Sequence, residues 1–376
     1  MQRCDLVRTL CLFGILGIFG ACSTPGPSPA EWEALDLPNV TLDAEDRNTV
    51  ASLTEDAGRA LAAGRITEAA RIAERALWVD PRAALARAIL GIALLEPAMQ
   101  EDPPALAWME RAEGELRLAR RLDPDNPQIA MFYARFLEVD GQMSLAAKVL
   151  DDLLVKLPDH LSALRVGSRL HFELGHERQA GELLERLVER SPEDSDAWYR
   201  LALCQLRLAE AIERGDTELR VDVPQVVRDS YLRSAESYRA YIGLRGDDVE
   251  GFIGEATARF RALVAHQVEA TRKAEIAEVL AILSKAARVD SKSAAPLHNQ
   301  ALVHQHLGDQ AKARAAYEAA LLRDKNFLPS ILNLAHILDA DGEHAAARAL
   351  CQRALALKPT DSEARRLRAY LSSKQP

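Results

Sequence analysis

Small residues recur along this chain at one fixed interval. Gly141 and Gly175 are 34 residues apart, as are Gly308 and Gly342; Pro158 and Pro192 keep the interval, and so do Ala146 and Ala180, Ala313 and Ala347, and Ala320 and Ala354. A constant period of this length marks an array of short supersecondary units rather than two or three ordinary domains. Aligned on these positions, each unit reads as a helix, a Gly-centred turn, a second helix and then a Pro turn. Asp80-Pro81, Asp123-Pro124, Leu157-Pro158, Ser191-Pro192 and Lys358-Pro359 supply those turns. Only 19 Gly and 17 Pro occur in 376 residues, with 8 Phe, 7 Tyr and 4 Trp, which argues against an all-β sandwich and against Pro/Gly-rich disorder.

A small residue where two helices cross lets their backbones approach. That accounts for Ala134, Ala202, Ala301 and Ala335 on first helices and for Ala146, Ala180, Ala313 and Ala347 on second ones, with Leu137, Leu150, Leu184, Tyr317 and Leu338 filling the space beside them. The turn Gly supplies backbone freedom between the helices. One helix pair cannot cover its own apolar face, so the units must stack. Together these residues resemble the tetratricopeptide repeat, and the resemblance covers about 320 residues. It implies an all-α solenoid, a right-handed superhelix of about eight repeats whose first helices line a concave groove that holds peptides or other proteins.

The register places units at about 50–81, 82–126, 127–160, 161–194, 195–248, 249–293, 294–327 and 328–361, with an Arg-rich helix from Ser362 to Leu371 as a cap, the array as a whole covering 50–372. The second unit carries an insertion around Glu96-Pro97 to Pro103-Pro104, the fifth a polar loop around Gly215 to Pro224, and the sixth about eleven extra residues without a clean Gly turn. Such insertions serve either as tolerated loops or as partner contacts.

Ahead of the array, Arg3 and Arg8 precede an apolar stretch from Leu10 to Phe19, and Gly20-Ala21-Cys22 closes it. This is a secretory leader over residues 1–21, too short for a stable span. Its end resembles the bacterial lipoprotein signal, which implies acylation of Cys22; Phe19 departs from that pattern. The alternative is a plain signal peptide cleaved near Ala21 with Cys22 a bystander. Residues 22–49 open with Ser23-Thr24-Pro25-Gly26-Pro27-Ser28-Pro29, a Pro-rich tether that would hold a domain off a membrane. Ser23 after the Cys implies an outer-membrane lipoprotein facing the periplasm; without acylation the chain would be soluble in the periplasm or secreted. Of five cysteines only Cys204 and Cys351 fall in the array, at apolar-face positions expected to be buried free thiols.

No phosphate-binding loop, zinc-protease motif, serine elbow or paired Cys/His set occurs, so no catalysis and no cofactor are expected. His298, His304, His306, His336 and His344 crowd into the last two units without forming a recognised ligand set. His298 and His336 come nearest to a pair, and His304 reads as an interior packing residue. A formal net charge of −9, from 47 Lys and Arg against 56 Asp and Glu, disfavours nucleic acid.

The resemblance implies that positions 2, 5, 6, 9, 12 and 13 of each first helix face the groove. They are Arg135, Arg165, Arg169, Arg200 and Arg207, with Tyr199, Met131, Phe132 and Phe172 among them, and Asn299 and Asn333 farther along. Guanidinium groups match carboxylates in bidentate fashion, so an acidic or C-terminal peptide segment is the expected ligand. Ion pairs with Glu138, Glu173 or Asp196 would neutralise part of the set. The lysines of a full carboxylate clamp are absent. Two functions follow as expectations: a lipid-anchored scaffold recruiting envelope proteins for assembly, pilus, secretion or cell-wall machinery, or a soluble exported binding module or chaperone-like holder. Self-association is open in either case.

Overall fold

A computed structural model describes residues 37–99, 106–215, 223–266 and 269–373, and among them every regular element is an α-helix. The leader, Cys22 and the Pro-rich tether lie outside the described residues. Two compact units divide the chain, Met1–Leu174 and Gly175–Pro376.

In the first unit, α1 (Ala44–Ala62), α2 (Ile66–Val79), α3 (Ala84–Met99), α4 (Leu106–Leu122), α5 (Pro127–Val139), α6 (Met143–Lys156) and α7 (Leu161–Glu173) follow one another as antiparallel hairpins. Helix α1 begins ahead of residue 50, where the array was expected to start. Asp43 caps it by accepting the Asp46 N–H, and Glu45 and Asp46 complement the dipole of its first turn. Asn126 caps α5 by accepting the N–H groups of Gln128 and Ile129, with Pro127 preset for the first turn. At the far end of α5, Gly141 takes φ +77°. Its N–H donates to the Glu138 carbonyl and that of Gln142 to the Leu137 carbonyl, which ends the helix and turns the chain into α6. Ala134 and Ala146 are buried at the crossing, with Leu137 and Leu150 beside them. Helix α3 runs through Glu96-Pro97 to Met99, so the second unit's extra residues partly lengthen a helix.

The second unit contains α8 (Glu177–Arg190), α9 (Ser195–Arg214), α10 (Val223–Leu244), α11 (Val249–Ala265), α12 (Glu269–Val289), α13 (Ala295–His306), α14 (Gln310–Arg323), α15 (Leu328–Ala340), α16 (His344–Leu357) and α17 (Ser362–Ser373). Positive-φ glycines recur at Gly308 and Gly342. The irregular fifth and sixth repeats spend part of their extra residues on longer helices: α9 has 20 residues, α10 22 and α12 21; positions 216–222 of the expected polar loop lie outside the described residues. Between α11 and α12 the chain turns through His266 in extended conformation, not through a glycine. Helix α17 caps the stack by burying Ala364, Leu367 and Leu371 against α15 and α16. Within each unit the first helices of successive repeats are neighbours, α1 with α3 and α3 with α5 in the first, α9 with α11 and α11 with α13 in the second. Each unit is thus a stack of helix pairs with a face made by first helices. No helix among the described residues is long and apolar enough to cross a membrane.

Candidate functional site

The expected groove residues divide between the two units. In the first, Arg135 on α5 and Arg165 on α7 are exposed, and Met131, Phe132 and Phe172 are half-buried beside them. Arg135 lies outside every ion pair among the described residues. Arg169 does not: its guanidinium meets Glu138 of α5 at 2.8 Å and Glu173 of its own helix at 3.0 Å. Those two carboxylates, Glu138 first, stabilise its charge and raise its pKa. A ligand carboxylate would have to displace them, so Arg169 ties α5 to α7 and contributes little free positive charge.

Closer to the start of the first unit, α1, α3 and the turn before α5 enclose a groove of about 650 Å³. Ala51, Gly58, Ala62, Ala86 and Ile89 line it together with Glu55, Arg59 and Asp123. Arg59 is already paired with Glu55 and Asp56. The sequence reading missed this groove because its lining is gathered from separate elements far apart along the chain, and no motif links them.

In the second unit, Arg200 is half-buried and outside every ion pair among the described residues, while Arg207 lies 3.6 Å from Glu177. Tyr199 stands edge-on to Tyr238 at 6.0 Å and tilted against Tyr241 at 5.1 Å. Burial, and then the charges of Glu250 and Asp248, push its phenol up. Tyr199 therefore belongs to an aromatic cluster as much as to a binding face. Two glycines of α11 make the room: a Cβ at Gly251 would stand 2.8 Å from the Tyr241 ring, and one at Gly254 closer still to that of Tyr238. The sequence signal was available, since four of seven tyrosines fall between 199 and 241 and two glycines three apart follow them.

Asn299 is half-buried. Asn333 is engaged: its amide donates to the Tyr317 hydroxyl at 3.0 Å, which in turn donates to Gln305 Oε1 at 2.8 Å. To clamp a peptide, Asn333 would have to leave that chain.

Of the five histidines in the last two repeats, the buried one is His298, not His304. It is 8 % exposed, its ring lies between Tyr317 and Phe327 at 5.4 Å from each, and Nδ1 is 3.0 Å from the Ser330 hydroxyl. Burial pushes it down to about 4, so it is neutral at pH 7. His304 is half-buried. His336 is exposed and 3.0 Å from Glu363, and His344 pairs with Asp339 at 2.9 Å. His298 and His336 thus have separate partners, and no group of three or more His, Cys, Asp or Glu able to hold a metal occurs among the described residues. Cys204 and Cys351 are buried free thiols. Burial pushes Cys204 up to about 12 and raises Cys351 as well, which makes both poor nucleophiles.

A tetratricopeptide-repeat family model matches residues 167–214 and 298–362. Among solved structures, the chain resembles a thermophilic tetratricopeptide-repeat protein of Thermus thermophilus at 23% identity, covering 56% of this chain and 97% of that one with a TM-score of 0.41. It also resembles a tetratricopeptide repeat protein from Parabacteroides merdae at 15% identity, covering 75% and 98% with a TM-score of 0.44. No curated protein matches the chain. By the family match, and by the recurring helix pair with its left-handed glycine turn, residues 167–214 and 298–362 are tetratricopeptide repeats.

Proposed function

We propose that this protein is a lipid-anchored scaffold of the bacterial envelope that recruits partner proteins through acidic or C-terminal peptide segments on the faces made by its first helices. Protein–protein interaction is the role a tetratricopeptide fold supports. The observation that carries the ligand class is the pairing pattern at the expected groove positions: Arg135 and Arg200 stand outside ion pairs among the described residues, while Arg169 and Arg207 each face a carboxylate. An arginine beside half-buried Met131 and Phe132 offers a carboxylate a bidentate partner and its side chain an apolar seat. Acylation at Cys22 and the tether would hold these faces near a membrane.

The test is capture from detergent-solubilised envelopes by the native chain and by an Arg135→Glu/Arg165→Glu/Arg200→Glu variant. The reading expects a discrete set of partners to be lost in the folded variant. Unchanged capture would remove the arginines from the site and turn attention to the groove between α1 and α3. Anchoring is tested separately by palmitate labelling of the native chain and of Cys22→Ala. Because Phe19 departs from the lipoprotein pattern, a soluble exported module is the second reading, and absent labelling selects it.

A further inference from the structure

Charge is unevenly distributed along this acidic chain. From His344 to Pro376 there are seven Lys and Arg against two Asp and Glu, a balance of +5 in a protein of net −9. Three of the seven cations lie on α17, whose one carboxylate, Glu363, is 3.0 Å from His336. The inward side of that helix is used up by Ala364, Leu367 and Leu371, packed on α15 and α16. Its other side presents Arg365, Arg366 and Arg368, all exposed and all outside ion pairs among the described residues. Arg365 and Arg366 use their Nε–H groups on the carbonyls of Pro359 and Ser362, which does not engage the terminal nitrogens of either guanidinium. Two large apolar residues are exposed on the same segment, Leu357 at 41 % and Tyr370 at 49 %. The Arg365 bond to Pro359, 2.8 Å long, ties the turn that follows Leu357 to the basic face.

We propose that the outward face of α17 and the turn before it form a docking surface for anionic lipid headgroups. Guanidinium groups pair bidentately with phosphate and are more weakly hydrated than ammonium, so they give up water for a phosphodiester readily. A tyrosine and a leucine among arginines match the headgroup boundary of a bilayer, where amphipathic rings and apolar side chains both gain. That combination decides between the anionic partners. A nucleic-acid backbone rewards the arginines but gives Leu357 nothing, and a peptide needs walls that a single convex helix face does not offer. A broad anionic surface needs no walls. The inference does not depend on Cys22, since it concerns the opposite end of the sequence.

The experiment uses the full chain with vesicles of phosphatidylglycerol in phosphatidylcholine and of phosphatidylcholine alone, so that whatever the leader or an acyl group contributes is common to both. Hydrogen exchange should show α17 and the 357–361 turn protected by anionic vesicles only, and the protection should fade as salt is raised. At about one power of ten in affinity for every one to two arginines, Arg365→Gln/Arg366→Gln/Arg368→Gln should lose ~100-fold of the preference for anionic vesicles. Circular dichroism would show whether that variant keeps its helices, and Tyr370→Ser, which leaves every charge in place, should weaken binding by a smaller factor. Equal binding to both vesicle types, protection elsewhere than α17, or protection of α17 by an acidic peptide or an oligonucleotide but not by vesicles would overturn the proposal.

Discussion

The second and seventh repeats each bury a large polar side chain at the fourth residue of their first helix, and they solve the resulting problem differently. In α3 that residue is Arg87, 1 % exposed. It donates through Nε to the Pro81 carbonyl at 2.7 Å and meets Glu115 of α4, itself fully buried, at 2.6 Å. In α13 it is His298, kept neutral between two rings and hydrogen-bonded to Ser330. The charged solution takes two ions out of water and leaves Glu115 Oε1 without a partner among the described residues. The neutral one needs only a hydroxyl. Removing a partner should therefore be far more damaging in the second repeat, while changing pH should act on the seventh.

Repeat arrays need not unfold as one unit, so each test reads local opening, by hydrogen exchange in urea, and not a single midpoint. The largest effect is expected for Glu115→Ala, which strands the Arg87 charge and should cost α3 and α4 about 3–5 kcal/mol. Arg87→Met/Glu115→Leu should recover most of that loss or exceed the native stability. If the double variant is as unstable as the single one, the pair contributes more than charge balance to this crossing.

Next comes pH. His298 titrates near 4 when folded and near 6.5 when unfolded. Between those values the unfolded chain binds more protons, so stability is fully present above about 6.5 and falls with pH, by up to ~3 kcal/mol near pH 4. Stability measured around α13 to α15 from pH 7 to 4 should show the decline, and His298→Leu should flatten it. Glu74, beside Arg111 in the first unit, works in the opposite sense: burial raises its carboxyl pKa, so its contribution improves as pH falls. A decline of equal size in both repeats would remove His298 as the cause.

Gly91→Ala sharpens the packing side of the comparison. Its Cβ would stand 2.7 Å from Leu116 Cγ and 3.1 Å from the Ala112 carbonyl, where α3 crosses α4 beside the buried pair. Loss of about 1–3 kcal/mol is expected from overpacking. Smallest should be Ser330→Ala, about 1–2 kcal/mol, since it leaves one imidazole nitrogen unpaired without stranding a charge.

Much of the fold was legible from spacing. The 34-residue interval located the alanine crossings and the turn glycines, and the structure buries Ala134, Ala146, Ala301 and Ala313 at 1 % exposure or less. Small residues at a crossing and φ > 0 at a turn are requirements of the local geometry, so they are written into the chain at the positions that need them. The irregular repeats were harder to read, because extra residues between two helices extend either the loop or the helix. Here α9, α10 and α12 took part of them as helix. The groove residues were legible as positions and only partly as states: Glu173, four residues on, offered Arg169 a partner, but nothing along the chain showed that Glu138 of α5 would bridge to Arg169 and leave its near neighbour Arg135 outside ion pairs among the described residues.

The sequence by itself therefore determined the class of this protein, its period, the turn glycines and small crossing residues of its regular repeats, and its two buried thiols, all of which follow from near neighbours and from apolar faces. Only the tertiary structure decided which polar groups are spent. Glu115 on Arg87, Tyr317 on Asn333 and Glu138 on Arg169 are pairings between different helices, separated along the chain by 28, 16 and 31 residues. A side chain's hydrogen-bonding capacity is fixed by its type, but whether any of it remains for a partner depends on what the folded chain brings within about 3 Å.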